Sequence, residues 1–379
     1  MDDQPRNRAP LPPGTFRVGQ IAGVDVLVRS SWLIVAALIA ALMAPAIEQA
    51  APGLGALKYV AGFAFAVLLY LSVLLHEASH AVAATHYGLP VKSISIHFLG
   101  GATEMGEEAH TPWSEFVIAV VGPLTSIVVG AAALGLWYVS AGGLVGLALQ
   151  ALAFANLAVG VLNLVPGLPL DGGRVLRAAV WQVGKDQDRA TIVAAWGGRI
   201  AAVLALGWPL VQQNVLGYRA GITDYLMSVL IAAFLWGGAN ASLAHARLRR
   251  RLPAIQARRV ARRVIVVPED LPVAEAVRRA QEAQAGAIAT HTADDRVAGL
   301  VNETALGSVP AERRPWLAVS TVSRTMEDGL RLAADLSGEE LIRAMTGTPA
   351  TEYLLVEADG HIYGMLVTAD VEQAFAATA

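Results

Sequence analysis

The chain has 379 residues, of which 55% are hydrophobic and only 16% are charged, whereas soluble domains are typically about a quarter charged. This composition indicates a membrane protein, and a net charge of −3 gives no reason to expect a nucleic-acid partner. Because the sequence contains no cysteine, a disulfide framework, a Cys-ligated zinc site and a thiol nucleophile are excluded.

The first segment, residues 1–28, is polar and begins with a proline-rich stretch. No cleavable apolar core starts early enough for a secretory signal. We therefore interpret this segment as a short cytosolic arm.

Six apolar stretches follow, and each approaches the roughly 20 residues that a membrane-spanning helix needs. They cover residues 32–47, 57–85, 114–139, 144–166, 191–211 and 225–244. We predict that residues 29–248 form an α-helical polytopic membrane domain with about six transmembrane helices.

Basic residues mark one end of these predicted spans. They occur in the N-terminal arm (Arg6, Arg8, Arg17), at Arg29, between the fourth and fifth spans (Arg174, Arg177, Lys185, Arg189) and in the run after the last span. With six spans, all these segments fall on the same side of the membrane. Since cytoplasmic loops are enriched in Lys and Arg, we expect a multi-pass protein of the cytoplasmic (cell) membrane with both termini in the cytosol.

The composition changes after a basic linker, residues 249–263, and charged residues return. In residues 264–379 two stretches look alike, AIATHTADDRVAGLV and EYLLVEADGHIYGMLV, and a helix-like stretch precedes each. This is an internal repeat of about 60 residues. It predicts a soluble α+β tail built of two similar modules.

The motif H-E-x-x-H occurs at His76, Glu77 and His80, inside the second apolar stretch. On a helix, residues four apart share one face, so the two imidazoles can bind one Zn²⁺. Glu77 can then take a proton from zinc-bound water, whose pKa the metal lowers to about 7. The alternative is a chance match, but ionisable groups within a membrane span are costly and are functional by default.

Catalytic zinc sites use three protein ligands and keep one open position, so a third ligand is required. Asp171 is the candidate, in NLVPGLPLDGGR, where Pro166 and Pro169 interrupt the helix. Irregular backbone at membrane depth is tolerated where it lines a polar cavity. The alternative is that Asp171 only caps a helix that begins near Gly172.

Together, H-E-x-x-H in an early span and N-x-x-P-x-x-P-L-D-G-G in a later one resemble the site-2 protease family of intramembrane zinc metalloproteases (peptidase M50-like), over roughly residues 17–248. The resemblance implies that His76, His80 and Asp171 bind one Zn²⁺ and that Glu77 is the base. It also implies that Asn163 helps to position the substrate. A helix–helix hydrogen bond is the alternative role for Asn163.

Two further stretches resemble the same family. SISIHFLGGATEM is similar to its strand segment, which presents an edge to an extended substrate, with an ordinary surface hairpin as the alternative. VGPLTSIVVG is similar to its Gly-Pro span, although Ser126 stands where asparagine is common. Three other histidines lack ligand spacing and are interpreted as incidental: His86, His97 and His110.

The tail resembles a pair of cystathionine-β-synthase (CBS) modules, which often bind adenine nucleotides through G-x-[VIL]-T-x-x-D. In the second copy Asp370 matches this signature but Val367 replaces the threonine, and the first copy lacks both polar positions. A structural or dimerising role, giving a homodimer through the CBS pair, is therefore favoured at least equally with nucleotide binding.

The resemblance predicts an intramembrane zinc metalloprotease acting on a transmembrane protein in the lipid bilayer, with an anti-sigma factor as one example of substrate. An alternative is a membrane metal transporter or sensor with a CBS regulatory tail. A transporter would spread polar residues along a route through several spans, whereas here they cluster at one level. A membrane-anchored protease of soluble substrates would more naturally carry its zinc helix outside the bilayer.

Overall fold

The computed structural model describes residues 12–98, 100–251, 255–294 and 296–377. Residues 1–11, including Arg6 and Arg8 of the expected N-terminal arm, lie outside this range. Contacts between residues divide the chain into two units, Met1–Ala246 and Arg247–Ala379, and each is described by itself.

Six helices are long and apolar enough to cross a membrane. Five lie in the first unit, and the sixth begins there and ends five residues beyond it. Among the described residues these are α1 (Trp32–Ala50), α2 (Leu57–His86), α3 (Pro112–Tyr138), α4 (Gly143–Asn163), α6 (Gln187–Asn214) and α7 (Ile222–Arg251). The prediction of six spans is confirmed. The fourth ends three residues earlier than expected, because Pro166 and the turns around it cannot continue α4.

A seventh helix of this unit, α5 (Asp171–Gly184), lies between α4 and α6. It packs against α3 and α6, and its first residue is the predicted third metal ligand. The non-helical segment between α4 and α5 is anchored on α6, because the amide of Leu168 donates to the carbonyl oxygen of Ala194 at 3.0 Å. The turn that carries Asp171 is thus held by a neighbouring span.

A four-stranded sheet completes the first unit. Its strands, in spatial order, are β1 (Thr15–Ile21), β2 (Val24–Arg29), β3 (Val91–His97) and β4 (Gly100–Met105). β2 and β3 are parallel and the outer pairs are antiparallel. The segment SISIHFLGGATEM therefore forms a hairpin, as expected, but β1 and β2 lie in the segment interpreted as an arm and were not predicted.

This sheet packs on the helix that carries the histidine motif. Val24, Val26 and Ile94 form one buried cluster with Ala78 and Ala81 of α2. Buried valines alternate with half-buried residues in β2, which is the pattern of a half-buried strand. The sheet is consequently fixed against the face of α2 next to Glu77.

The second unit repeats one order of elements, strand–helix–strand–strand–helix. The first copy comprises β5 (Val264–Pro268), α9 (Val273–Glu282), β6 (Ala287–His291), β7 (Val297–Val301) and α10 (Glu303–Ser308). The second comprises β9 (Arg331–Ala333), α11 (Gly338–Gly347), β10 (Glu352–Val356), β11 (Ile362–Val367) and α12 (Thr368–Ala377). In each copy the first strand pair is parallel and the second is antiparallel. The predicted twofold repeat of an α+β tail is confirmed.

The two copies share a small core made of Ala289 and Leu300 from the first and Leu354 and Met365 from the second. Between the copies the chain forms β8 (Ser323–Thr325), which pairs with β7. A short helix, α8 (Ala257–Val260), precedes the first copy.

Part of the predicted basic linker belongs to this fold. Ile255 and Ala257 are buried in the core of the second copy, and the backbone of Arg262 pairs with Met365. Residues 252–254 of the linker lie outside the described range.

Candidate metal centre and active site

His76 and His80 lie one turn apart on α2, and their side chains are nearly enclosed, with 5% and 3% of each residue exposed. Their Nε2 atoms are 3.2 Å apart. Asp171, at the start of α5, places Oδ2 3.2 Å from Nε2 of His76 and 3.3 Å from Nε2 of His80. The three atoms form a nearly equilateral triangle.

This triangle fits a zinc ion. Ligand atoms about 2.0–2.1 Å from a tetrahedral zinc are about 3.3–3.4 Å from one another, close to the three measured separations. In the part of the chain that the structure describes, His76, His80 and Asp171 are the only group of three His, Asp or Glu residues arranged this closely. His86, His97 and His110 are not in it.

The other ring nitrogens hold both imidazoles in the orientation that a metal needs. Nδ1 of His80 lies 2.6 Å from the carbonyl oxygen of Ile118, and Nδ1 of His76 lies 2.9 Å from Oγ of Ser126. Because a carbonyl only accepts, the proton of neutral His80 must be on Nδ1, which leaves the lone pair on Nε2. Such partners fix the tautomer of metal-binding histidines. The sequence marked Ser126 as a departure from the family pattern but did not predict this contact.

Helix α3 approaches the two histidines closely at Gly122. A Cβ atom at this position would collide with Nε2 of His80 and would lie 2.7 Å from Nε2 of His76. Only a residue without a side chain fits here. The sequence singled out the Gly-Pro pair in VGPLTS, but only the structure shows why a glycine is needed at position 122.

Asp171 contacts the histidines and does not cap its helix. The N-cap position of α5 is Leu170, and no side chain caps this helix end. The carboxylate of Asp171 instead lies between the two imidazoles. Of the two interpretations of Asp171, the geometry favours the metal ligand.

Glu77 is oriented by strand β4. The hydroxyl of Thr103 donates to Oε2 of Glu77 at 2.8 Å and lies 3.0 Å from the carbonyl oxygen of the same residue. Gly101 leaves room for the glutamate, since a Cβ there would collide with its Cγ. The carboxylate is therefore held by the sheet as well as by α2.

All five predicted site residues line one cavity of about 490 Å³: His76, Glu77, His80, Asn163 and Asp171. Asn163 is the last residue of α4. Thr103 of β4 and Phe234 of α7 complete part of the wall. Residues from four helices and one strand thus meet at a single site.

A buried ion cluster beside this cavity was not predicted. Glu115 of α3 is 0% exposed and accepts from Nε of Arg174 at 2.9 Å and from Nη2 of Arg177 at 2.7 Å. Arg174 and Arg177, which were counted among the basic residues that mark the cytosolic side, therefore form internal ion pairs. Lys185 and Arg189, which were counted with them, are exposed. No motif in the sequence pairs Glu115 with either arginine.

Comparisons with known proteins agree with this geometry. The model of the family "Peptidase family M50" matches residues 64–148 and 140–206. A candidate zinc metalloprotease of Synechocystis is 27% identical over 371 residues, which are 94% of this chain and 94% of that protein. Rip3 of Mycobacterium tuberculosis, also named as a candidate zinc metalloprotease, is 38% identical over 210 residues, and the chain spans about half of it (53%).

Among solved structures, the site-2 protease from Methanocaldococcus jannaschii is 25% identical, with a TM-score of 0.42, covering 60% of this chain and 95% of that one. The match of the family model includes the histidine motif and Asp171, and six helices of this chain can cross a membrane. Residues 64–206 of the chain are thus similar to peptidase family M50, and the chain is similar to proteins named as candidate zinc metalloproteases.

Proposed function

We propose that the protein is an intramembrane protease that cleaves transmembrane proteins, in the manner of regulated intramembrane proteolysis. One observation carries this proposal: the triangle of Nε2, Nε2 and Oδ2 atoms shares a cavity with Glu77 and is built on helices long enough to cross a membrane. No observation favours transport of a metal, since the polar groups gather at one level.

In this proposal His76, His80 and Asp171 hold one Zn²⁺ per chain. When bound there, the metal would supply Lewis-acid chemistry, which polarises a carbonyl and lowers the pKa of water to about 7. Glu77 accepts the proton that the attacking water loses, and Thr103 holds the glutamate in place. Ser126 and the carbonyl of Ile118 keep the two imidazoles oriented.

The substrate is proposed to bind as an extended strand along β4. Among the described residues this strand is at one end of the sheet order, next to β3, and it carries Gly100 and Gly101 along the cavity wall. A transmembrane helix hides its peptide carbonyls, whereas a strand added to a sheet edge presents them. Asn163, on the cavity wall, is proposed to help position the substrate chain.

A substrate trap tests this function. Glu77→Gln should retain a bound substrate without cutting it, so the full-length variant purified from its host should carry specific proteins that wild type lacks. We expect these to be transmembrane proteins, including candidates of the anti-sigma type, that the wild-type enzyme cuts within their spans. Recovery of soluble proteins only, or of membrane proteins that wild type leaves intact, would contradict the proposal.

The protein is proposed to lie in the cell membrane with both termini in the cytosol. Lys185 and Arg189, which are exposed, and the basic run at the end of α7 support this orientation. A single cysteine can be introduced cleanly because the chain has none. Lys185→Cys should react quickly with a reagent added from the cytosolic side, and Ala78→Cys slowly. Reaction of Lys185→Cys from the outer side alone would refute the topology.

The tail is proposed to have a structural or dimerising role rather than to sense an adenine nucleotide. Asp370, the residue that matches the nucleotide signature, accepts from Arg262 Nε at 2.5 Å and from Nη2 at 2.7 Å, and Arg262 also donates to Glu303. Hydrogen bonding to Asp370 raises the pKa of Arg262. The carboxylate is thus already engaged within the tail.

Calorimetry with the full chain separates these roles. We expect no binding of ATP, AMP or S-adenosylmethionine at micromolar concentrations, and a dimer whose formation needs the tail. Micromolar binding of any of the three compounds would overturn the preference.

A further inference from the structure

Arg174 belongs to two features at once, the catalytic cavity and the buried ion cluster. It lies one turn after Asp171 on α5 and lines the same cavity as His76 and Glu77. Nε donates to Oε1 of Glu115 at 2.9 Å and Nη2 lies 3.3 Å from Oε2. Both carboxylate oxygens therefore hold one edge of the guanidinium and fix its plane.

Arg174 places a guanidinium at the cavity wall. It shares Glu115 with Arg177, and Arg177 also lies 3.9 Å from Oε2 of Glu108, so Glu115 is not matched to Arg174 alone. Glu115 is fully buried and Arg177 is nearly so, but 18% of the Arg174 side chain is accessible. Nη1 of Arg174 donates to no group among the described residues, and its charge is close enough to attract Glu77 and Asp171.

A fixed cation with a free donor at this place has a chemical use. Hydrolysis of a peptide bond puts negative charge on the carbonyl oxygen, and donors oriented in advance toward that oxygen stabilise the transition state. Arginine suits this role because its charge is permanent and its donors are arranged in a rigid fork. Glu115 prevents the side chain from reorganising when the charge develops.

We propose that Arg174 is a catalytic residue of this site and that it donates through Nη1 to the carbonyl oxygen of the scissile peptide bond. The inference rests on the proposed proteolytic function and adds a contact to the substrate. Arg177, which shares Glu115 but does not line the cavity, has no such contact.

Hydrolysis of the peptide bond takes place in two stages. Water gives a proton to Glu77 while its oxygen forms a bond to the carbonyl carbon, and the π-electron pair moves onto the carbonyl oxygen, where Arg174 donates. As the carbonyl reforms, the C–N bond breaks, and the leaving nitrogen takes the proton from Glu77. The products are a carboxyl and an amine, and Arg174 keeps its own protons throughout.

The test compares Arg174→Gln with Arg177→Gln in the full-length, zinc-loaded protein. Each variant removes one guanidinium from Glu115, and Arg177→Gln also removes the ion pair with Glu108, so the control disturbs the ion cluster at least as much. Two probes are titrated by calorimetry. One is a phosphinic pseudopeptide with leucine side chains, whose tetrahedral anion resembles the transition state and whose apolar groups suit a wall containing Val73, Val159 and Phe234. The other is acetohydroxamate, which needs the metal alone.

We expect Arg174→Gln to keep zinc and acetohydroxamate binding but to bind the phosphinic pseudopeptide about 10–100-fold more weakly, as for loss of a hydrogen bond to a charged group. Arg177→Gln should bind it within about threefold of wild type. On a substrate recovered by the trap, Arg174→Gln should lower kcat by about 10²–10³-fold, with a much smaller change in KM.

Unchanged pseudopeptide affinity in Arg174→Gln would overturn the inference, as would an equal loss in Arg177→Gln. If Arg174→Gln loses zinc, Arg174→Lys is tested instead, since lysine keeps a positive charge beside Glu115 but lacks the forked donors of the guanidinium. Weak pseudopeptide binding with retained zinc in that variant supports the inference, and wild-type binding refutes it. A wild-type protein that binds neither zinc nor acetohydroxamate would instead refute the proposed function itself.

Discussion

The two units of the chain differ in how exposed their ion pairs are. In the tail both local and distant pairs are partly exposed: on α9, hydrogen bonds from Arg278 and Arg279, one turn away, lower the pKa of Glu275 to about 2, and Arg262 binds Asp370, 108 positions away. In the membrane unit the pair at the site, His76 and Asp171, is separated by 95 positions and is largely buried. The pairs of the tail stabilise its own fold, whereas this buried group of the membrane unit lines one cavity.

The two units also differ in the size of the side chains that pack in them. The tail has cores of large side chains, such as Tyr353 and Leu355. Around the membrane site the contacts depend on small residues, including Ala78 and Ala81 on α2 and Gly122 on α3, as is common where helices pack within membranes. A large side chain would be tolerated poorly there, because the backbone itself approaches the metal-binding groups.

The largest effect on metal binding is expected from Asp171→Ala, which removes one of three ligands. Zinc affinity should fall by more than the 10–100-fold typical of changes in the outer shell of a metal site. Metal analysis after dialysis against a chelator measures this, with Asp188→Ala on α6 as the control. Full and tight zinc in Asp171→Ala would show that the ligand assignment is wrong.

A smaller loss is expected from Gly122→Ala, because the new methyl group would collide with the imidazoles. Overpacking typically costs about 1–3 kcal/mol, or about 5–150-fold in zinc affinity if the imidazoles move. Gly135→Ala is the matched control on the same helix, since a Cβ there meets nothing within 4 Å. Equal zinc affinity in both variants would show that α3 does not constrain the site.

Ser126→Ala should weaken zinc binding by about 10–100-fold, as is typical when an outer-shell partner of a histidine ligand is lost. Thr125→Val is the control, because the hydroxyl of Thr125 donates to the carbonyl oxygen of Val121 within its own helix. The same competition titration measures both variants. If Thr125→Val loses as much zinc affinity as Ser126→Ala, the loss would come from disturbance of α3 and not from the missing hydrogen bond to His76.

The main ligands could be predicted from the sequence because each stands in a short motif. His76, Glu77 and His80 share one helical turn, and Asp171 lies in a second motif, in a segment that prolines exclude from a regular helix. The supporting contacts could not be predicted in this way. Glu115 and Arg174 are 59 positions apart, and the importance of Gly122 depends on how closely α3 approaches α2.

In the fold, too, local features could be predicted and long-range contacts could not. The six spans and the repeated tail follow from apolar runs and internal similarity, which need no partner to be recognised. Strands β1 and β2 were not predicted, although β2 carries the alternating pattern of a half-buried strand; what the sequence does not show is the pairing of β2 with β3, far away in sequence. Ile255, in the predicted linker, is buried in the core of the tail, which only packing reveals.

The smallest effect concerns the tail itself. A chain truncated after Arg251 should still bind one zinc ion with affinity close to that of the full chain, because every proposed ligand lies in the first unit. Zinc content and a chelator titration of both forms measure this. Loss of zinc from a folded, truncated protein would contradict the assignment of the whole metal centre to the membrane unit.

The central claim is that the membrane unit holds a zinc peptidase site in which Glu77 is the base. Measuring zinc content and substrate cleavage together in full-length Glu77→Gln tests it most directly. The account predicts one zinc ion per chain, as in wild type, with cleavage lowered by about 10²–10⁴-fold because proton transfer is lost. Cleavage within a few-fold of wild type, at equal zinc content, would contradict the account.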